Sequence, residues 1–198
     1  MLGYGRRLMP TRLVRAAVRT AGMGYAVPGT VIAVGVMIPF AWVDNSVDSW
    51  MRATFGVSTG LLLSGSLVAL IFAYLVRFLA VALQTVESGL GKIRPSMDEA
   101  GRSMGLRPAQ VLHRIHMPML QGSLLTALLL VFVDVLKELP ATLILRPFNF
   151  NTLAVRAYEL ASDERLADSG PAALTIVAAG LIPVIILSRS ITRSRAHI

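Results

Sequence analysis

Ser96-Met97-Asp98-Glu99-Ala100-Gly101-Arg102-Ser103-Met104-Gly105, continuing to Ile115-His116-Met117-Pro118, is the polar centre of an otherwise oily chain. Two apolar segments precede it and two follow. Ser96 stands three residues before Glu99, the spacing of a capping box in which each side chain closes the other's free backbone N–H. Asp98 and Glu99 fall in the first helical turn, where the positive end of the helix dipole favours carboxylates. Gly105 occupies the place of a left-handed C-terminal cap, and Pro108, tolerated in a first turn, can open a second helix. The prediction is a helix–turn–helix lying across a membrane face.

Working outward, composition sets the solvent. The 198 residues are 55% hydrophobic and 15% charged, with mean hydropathy +0.66, whereas soluble domains carry about a quarter charged residues. Segments 25–43, 60–86, 119–145 and 171–188 are long enough to cross a hydrocarbon core of about 30 Å at about 1.5 Å per residue. In lipid every backbone polar group must be satisfied internally, and these runs are too long and uniform for barrel strands. The expected fold is an all-α polytopic transmembrane helical bundle over residues 25–190, with loop 87–118 between its second and third segments. A basic segment, 1–24, precedes it and a basic tail, 191–198, follows. Pro39 is expected to kink or stop the first segment. The mixed stretch 44–59, with Trp42 and Trp50, reads as a loop at a bilayer surface, and 146–170 as a long polar connection.

The net charge of +8 follows from topology. Five Lys/Arg precede the first segment, five lie in the central loop and three close the chain. Only Arg52, Arg146, Arg156 and Arg165 lie in the two opposite connections. The positive-inside rule then puts both termini and the central loop in the cytoplasm. In residues 1–24, the spacing of Leu8, Leu13, Val14, Ala17 and Val18 predicts an amphipathic helix on the lipid bilayer surface. Lys and Arg lie at segment ends and no nucleic-acid motif is present, so nucleic acid is not an expected partner. The absence of cysteine excludes disulfides, thiolate metal sites and cysteine nucleophiles. No Walker loop, nucleophile elbow or zinc helix motif is found. The chain is not expected to be an enzyme, and no catalytic residue is assigned. His113 and His116 have a spacing that can hold a metal, but with no cysteine or carboxylate close by in that segment they read as solvated or interface histidines.

Asp134, Lys137 and Glu138 stand inside the third apolar segment, next to Pro140. Ionisable groups there cost several kcal/mol unless they face protein, water or opposite charge. At i, i+3 and i+4 all three share one helical side, and Pro140 weakens the backbone ladder beside them. Two readings fit: a water-lined translocation path suited to a hard cation, or a structural ion pair locking the helix to its neighbours. A structural pair leaves one acid over, which favours the path. Arg77, in the second segment, either balances that acid or snorkels to the cytoplasmic interface.

Glu99-Ala100-Gly101, three residues, Gly105, nine residues, then Ile115-His116-Met117-Pro118 resembles the EAA loop of binding-protein-dependent ABC importer permeases. Gly101 replaces the second Ala of that pattern, a change that loosens the helix by up to about 1 kcal/mol, and Met117 replaces its Leu. The resemblance implies that Glu99, Ala100, Gly101, Gly105, Ile115 and Pro118 belong to a coupling helix docked on a cytoplasmic ATPase subunit. ATP and Mg would be bound by that partner, with no cofactor on this chain. The stretch from Lys137-Glu138-Leu139-Pro140 through Arg146-Pro147-Phe148-Asn149-Phe150-Asn151 to Tyr158-Glu159-Leu160 resembles the ferric-iron branch of the family. It implies a bacterial inner-membrane permease fed by a periplasmic substrate-binding protein, with Asp134, Lys137, Glu138 and Arg77 near the ion's path. No iron ligand carries over residue by residue. Thiamine, polyamine or oxyanion transport, and a non-transporting membrane scaffold, are the rival readings. Permeases of that branch carry two homologous halves, so the chain resembles a C-terminal portion, expected to be a fragment or to associate with the remaining half or a second copy.

Overall fold

The computed structural model describes residues 4–5 and 11–195, excepting the side chains of 187 and 190–195, and among these every regular element is a helix. In order they are α1 (Arg12–Gly22), α2 (Gly29–Phe55), α3 (Leu67–Gly91), α4 (Pro95–Ser103), α5 (Pro108–Val111), a π-helical turn (Leu112–His116), α6 (Met117–Leu136), α7 (Pro140–Leu145), α8 (Leu153–Ser162) and α9 (Leu166–Arg195). Four stretches are long and apolar enough to cross a membrane: Gly29–Phe55, Leu67–Gly91, Pro108–Leu136 and Leu166–Ile186. The helical class holds, and the four candidate spans equal in number the four apolar segments read from sequence.

The boundaries differ from the sequence expectation, each for a local reason. Pro39 does not stop α2, because one missing N–H costs one hydrogen bond whereas a break in an apolar span exposes several backbone groups. Instead the helix ends at Gly56, in the left-handed conformation at φ +70°, whose N–H donates to Arg52 O at 3.1 Å. Most of the mixed stretch 44–59 is therefore helix. Residues 60–66 are not helical, since Gly60 and Gly65 take positive φ of 63° and 75°. The third segment breaks at 137–139, and Pro140 restarts it as the first residue of α7. The connection 146–170 contains α8, capped by Thr152, whose hydroxyl accepts from Val155 N–H at 3.3 Å.

The chain divides into two compact units. One comprises Gly24–Phe78 and Val133–Leu181. Its core is Ile32, Ala33 and Val36 of α2, Ala69, Leu70 and Ala73 of α3, and Ala141 and Leu145 of α7. Four of these are alanines, which lets helix backbones approach closely where lipid offers no hydrophobic drive. The other unit comprises Met1–Met23, Leu79–Phe132 and Ile182–Ile198, and packs Leu90, Ile93 and Leu120 around Tyr4. There a Cβ on Gly89 of α3 would lie 2.4 Å from Ser123 Oγ of α6, so only glycine allows that crossing.

Candidate functional site

The loop between α3 and α6 forms the predicted hairpin, though its first cap is not the predicted one. Helix α4 starts at Pro95 with Arg94 as N-cap and no side-chain cap bond. Ser96 lies inside the helix, two residues past the cap position, and the Ser96–Glu99 capping box does not form. The C-terminus is as expected. Gly105 takes φ +78°, its N–H donates to Arg102 O at 2.9 Å, and Leu106 N–H donates to Gly101 O at 3.0 Å. That pair of bonds is the Schellman motif, which a Cβ at Gly105 would strain. Pro108 opens α5, and the Gln110 side chain accepts from Arg107 N–H at 2.9 Å.

Two faces of α4 then take different roles. Asp98 and Gly101 are buried, while Met97, Glu99, Ala100, Ser103 and Met104 face outward. A Cβ at Gly101 would stand 3.0 Å from Val111 Cγ2 and 3.1 Å from Ile115 Cδ1. The glycine expected to loosen the helix thus seats α4 against α5 and the π turn. Asp98 Oδ1 takes a hydrogen bond from Nε2 of His116, which is fully buried. Nδ1 of His116 is buried with no hydrogen-bond partner among the described residues, so the ring is held through Nε2 alone. His116 is therefore neither solvated nor at an interface; it binds the surface helix to the root of α6, and the carboxylate it needed lay eighteen residues upstream. Tyr4 packs against its ring, centroids 5.0 Å apart, and donates to Pro108 O at 3.2 Å. His113 is exposed. Among the described residues no group of three or more His, Cys, Asp or Glu is arranged to hold a metal.

The membrane ionisables sort into two pairs. Asp134 binds Lys137 Nζ at 2.9 Å. Glu138 is buried, and its Oε2 lies 3.3 Å from Nε of Arg77, an ion pair whose angle makes no hydrogen bond. Arg77 does not snorkel: Nη1 donates to Val27 O at 3.1 Å, and the guanidinium lies over the rings of Tyr25 and Phe78 at 5.8 and 5.9 Å. Glu138 stands beyond the end of α6, not on one helical face with Asp134, and its Oε1 accepts from Ala141 N–H at 3.2 Å, holding the restart of α7. The acid that composition left over is matched, so the surplus charge no longer favours a path. Gly29 belongs here too, since a Cβ would meet Glu138 Oε1 at 2.7 Å and Arg77 Nη1 at 3.0 Å.

The role of two further acids was missed in sequence. Asp44 and Asp48, one turn apart on α2, collect the N–H groups of Leu63 and Ser64, and of Thr59 and Gly60. The alternation of Ser, Thr and Gly over 58–66 was the available signal. Beyond α7, Arg146 Nη2 and Asn151 Nδ2 both donate to Glu159, at 2.9 and 3.1 Å, tying α8 to the loop before it.

A hairpin with this spacing, rooted in an apolar helix, agrees with the whole-chain comparison. The model of the binding-protein-dependent transport system inner membrane component matches residues 2–197. The chain belongs to that family. It is an integral membrane protein of the permease type. It is 29% identical over 165 residues to the Fe(3+)-transport system permease protein FbpB 2 of Haemophilus influenzae, covering 83% of this chain and 29% of that one. It is 24% identical over 164 residues to the putative 2-aminoethylphosphonate transport system permease protein PhnV of Salmonella typhimurium, covering 83% and 56%. PhnV of Salmonella choleraesuis matches to the same extent. The chain therefore spans less than two thirds of the length of each of these permeases.

Proposed function

We propose that this chain is a permease subunit of an ATP-driven importer in the bacterial inner membrane. In this reading it moves ferric iron, delivered by a periplasmic binding protein, by alternating access. The observation that carries the transport reading is the α4–α5 hairpin, whose outer face carries Met97, Glu99, Ala100 and Met104 and whose inner face is hydrogen-bonded to the root of a membrane helix. Methionine packs adaptably on a partner groove, and Glu99 offers that groove a charge. The partner is a cytoplasmic ATPase subunit, which alone binds ATP and Mg; this chain supplies neither nucleotide site nor cofactor. Closure of two ATPase subunits would drive the hairpin, and Asp98–His116 would pass that displacement to α6. The helices would then rock between outward-open and inward-open states.

In the same reading both termini are cytoplasmic and the α8 region faces the binding protein. Asp134, Lys137, Glu138 and Arg77 border the route as paired charges that order the broken α6–α7 helix rather than as free ligands. The remaining permease half, or a second permease copy, supplies the rest of the enclosure. Iron rests on the likeness to FbpB 2; the likeness to PhnV favours a second reading, in which the solute is a phosphonate-type oxyanion. The complete complex, reconstituted in vesicles, should take up labelled iron in preference to 2-aminoethylphosphonate, thiamine or a polyamine. Uptake of another solute without iron would remove the iron claim. Transport that survives Glu99→Ala and Gly105→Ala unchanged would instead favour a scaffold whose loop merely binds a partner.

A further inference from the structure

Helix α1 carries a basic groove that the transport reading leaves unused. Arg12, Arg15 and Arg19 recur at i, i+3 and i+7, and with Ala16, Thr20 and Met23 they line a space of about 480 Å³. Helix α1 contains no acid, and the chain has no carboxylate before Asp44. Among the described residues the three guanidiniums form no ion pair; every described pair engages other cations. Thr20 turns its hydroxyl back to donate to Ala16 O at 2.6 Å, which leaves the arginines as the donors of the groove.

The rest of the helix surface decides what kind of anion fits. Val18 is buried and Val14 half-buried, so that side is seated on protein. Leu13 is 83% exposed and Ala17 is exposed beside it, forming a separate apolar edge. At about 100° per residue, that edge lies roughly 150° around the helix from the centre of the arginine stripe, with Arg12 the arginine nearest to it. A soluble phosphate or a nucleic acid uses the guanidiniums but gains nothing from an uncovered leucine. A phospholipid with an anionic head uses both, since its phosphate meets the arginines and its acyl chains cover the apolar edge.

We propose that α1 is a binding site for an anionic phospholipid, with the headgroup phosphate seated among Arg12, Arg15 and Arg19 and the acyl chains running past Leu13 and Ala17. The site fixes the depth of α1 at the bilayer surface, and it is independent of which solute the permease moves.

The absence of native cysteine permits a direct test. The full chain carrying Ala16→Cys is labelled with a fluorophore and reconstituted in phosphatidylcholine vesicles doped with brominated phosphatidylglycerol or with brominated phosphatidylcholine. Quenching reports the relative association of each lipid with the groove. Phosphatidylglycerol should be preferred, and the preference should fall about fivefold for each arginine changed to glutamine. The triple change to lysine should retain most of it. Single Arg12→Gln and Arg19→Gln variants are read beside the triple, with helical content measured by circular dichroism to confirm that α1 persists. Equal quenching by the two lipids, or a preference untouched by the triple glutamine variant, would overturn the proposal. So would a preference abolished by inorganic phosphate at matched ionic strength, which would mark a small-anion site.

Discussion

Arg77 and Glu138 show how one residue's role depends on another far along the chain. Each is costly alone in an apolar setting; paired, they hold the start of α2, the middle of α3 and the break before α7 through Val27, Tyr25 and Ala141. Removing one partner strands the other's charge, which costs about 3–5 kcal/mol, whereas removing both leaves no buried charge. Arg77→Met should therefore lower the unfolding midpoint of the purified chain in detergent far more than Arg77→Met with Glu138→Gln, and equal losses would mean the pair does not form. Gly29→Ala inserts a methyl where only 2.7 Å separates its Cβ from Glu138 Oε1. It should cost about 2 kcal/mol by prising the pair apart, and much less when Glu138 is already alanine. Sequence made both charges conspicuous, but it could not identify their partners, because an ion pair 61 positions apart in the chain has no local pattern.

At the scale of elements, the α4–α5 hairpin was legible because its determinants are local. A glycine at the end of a short polar helix and a proline three residues later name the turn and the restart, and both are found. Gly105→Ala should destabilise the turn by about 1 kcal/mol, since φ is +78° there. The measurement is faster hydrogen exchange confined to residues near 101–108. What held the hairpin to the membrane helix was not legible. His116→Phe keeps the ring's packing on Tyr4 and removes the Nε2–H, at a cost of about 2 kcal/mol in seating. The expected outcome is that ATP hydrolysis by the assembled complex persists while solute moved per ATP falls on the order of tenfold; unchanged coupling would reduce Asp98–His116 to a structural contact. The limits of α2 and α3 failed for a related reason. Pro39 is a strong local stop signal, yet the free energy of an apolar span overrode it, and the true end came from Gly56 and the loop that Asp44 and Asp48 gather.

For the whole molecule, the described surface is unusual in where its apolar side chains lie. In the span Leu166–Ile186 nothing is buried, and Leu174, Val177, Leu181 and Ile182 all face outward. Such a surface requires lipid or protein cover. The topology implied by the charge bias can be tested in the cysteine-free background. Ser103→Cys, on the outer face of α4, should react with an impermeant thiol reagent in inverted vesicles and not in intact cells, and Arg156→Cys should do the reverse; labelling of position 103 from outside would end the coupling reading. Sequence by itself determined the solvent, the helical class, the number of helices apolar and long enough to span a membrane, and the hairpin, because these follow from hydropathy, backbone satisfaction in lipid and short-range capping. The tertiary structure alone decided the pairing of Arg77 with Glu138, the burial of His116 on Asp98 and the room that Gly29 and Gly101 leave. Those are contacts between distant residues, whose free energy depends on geometry that no window of sequence contains.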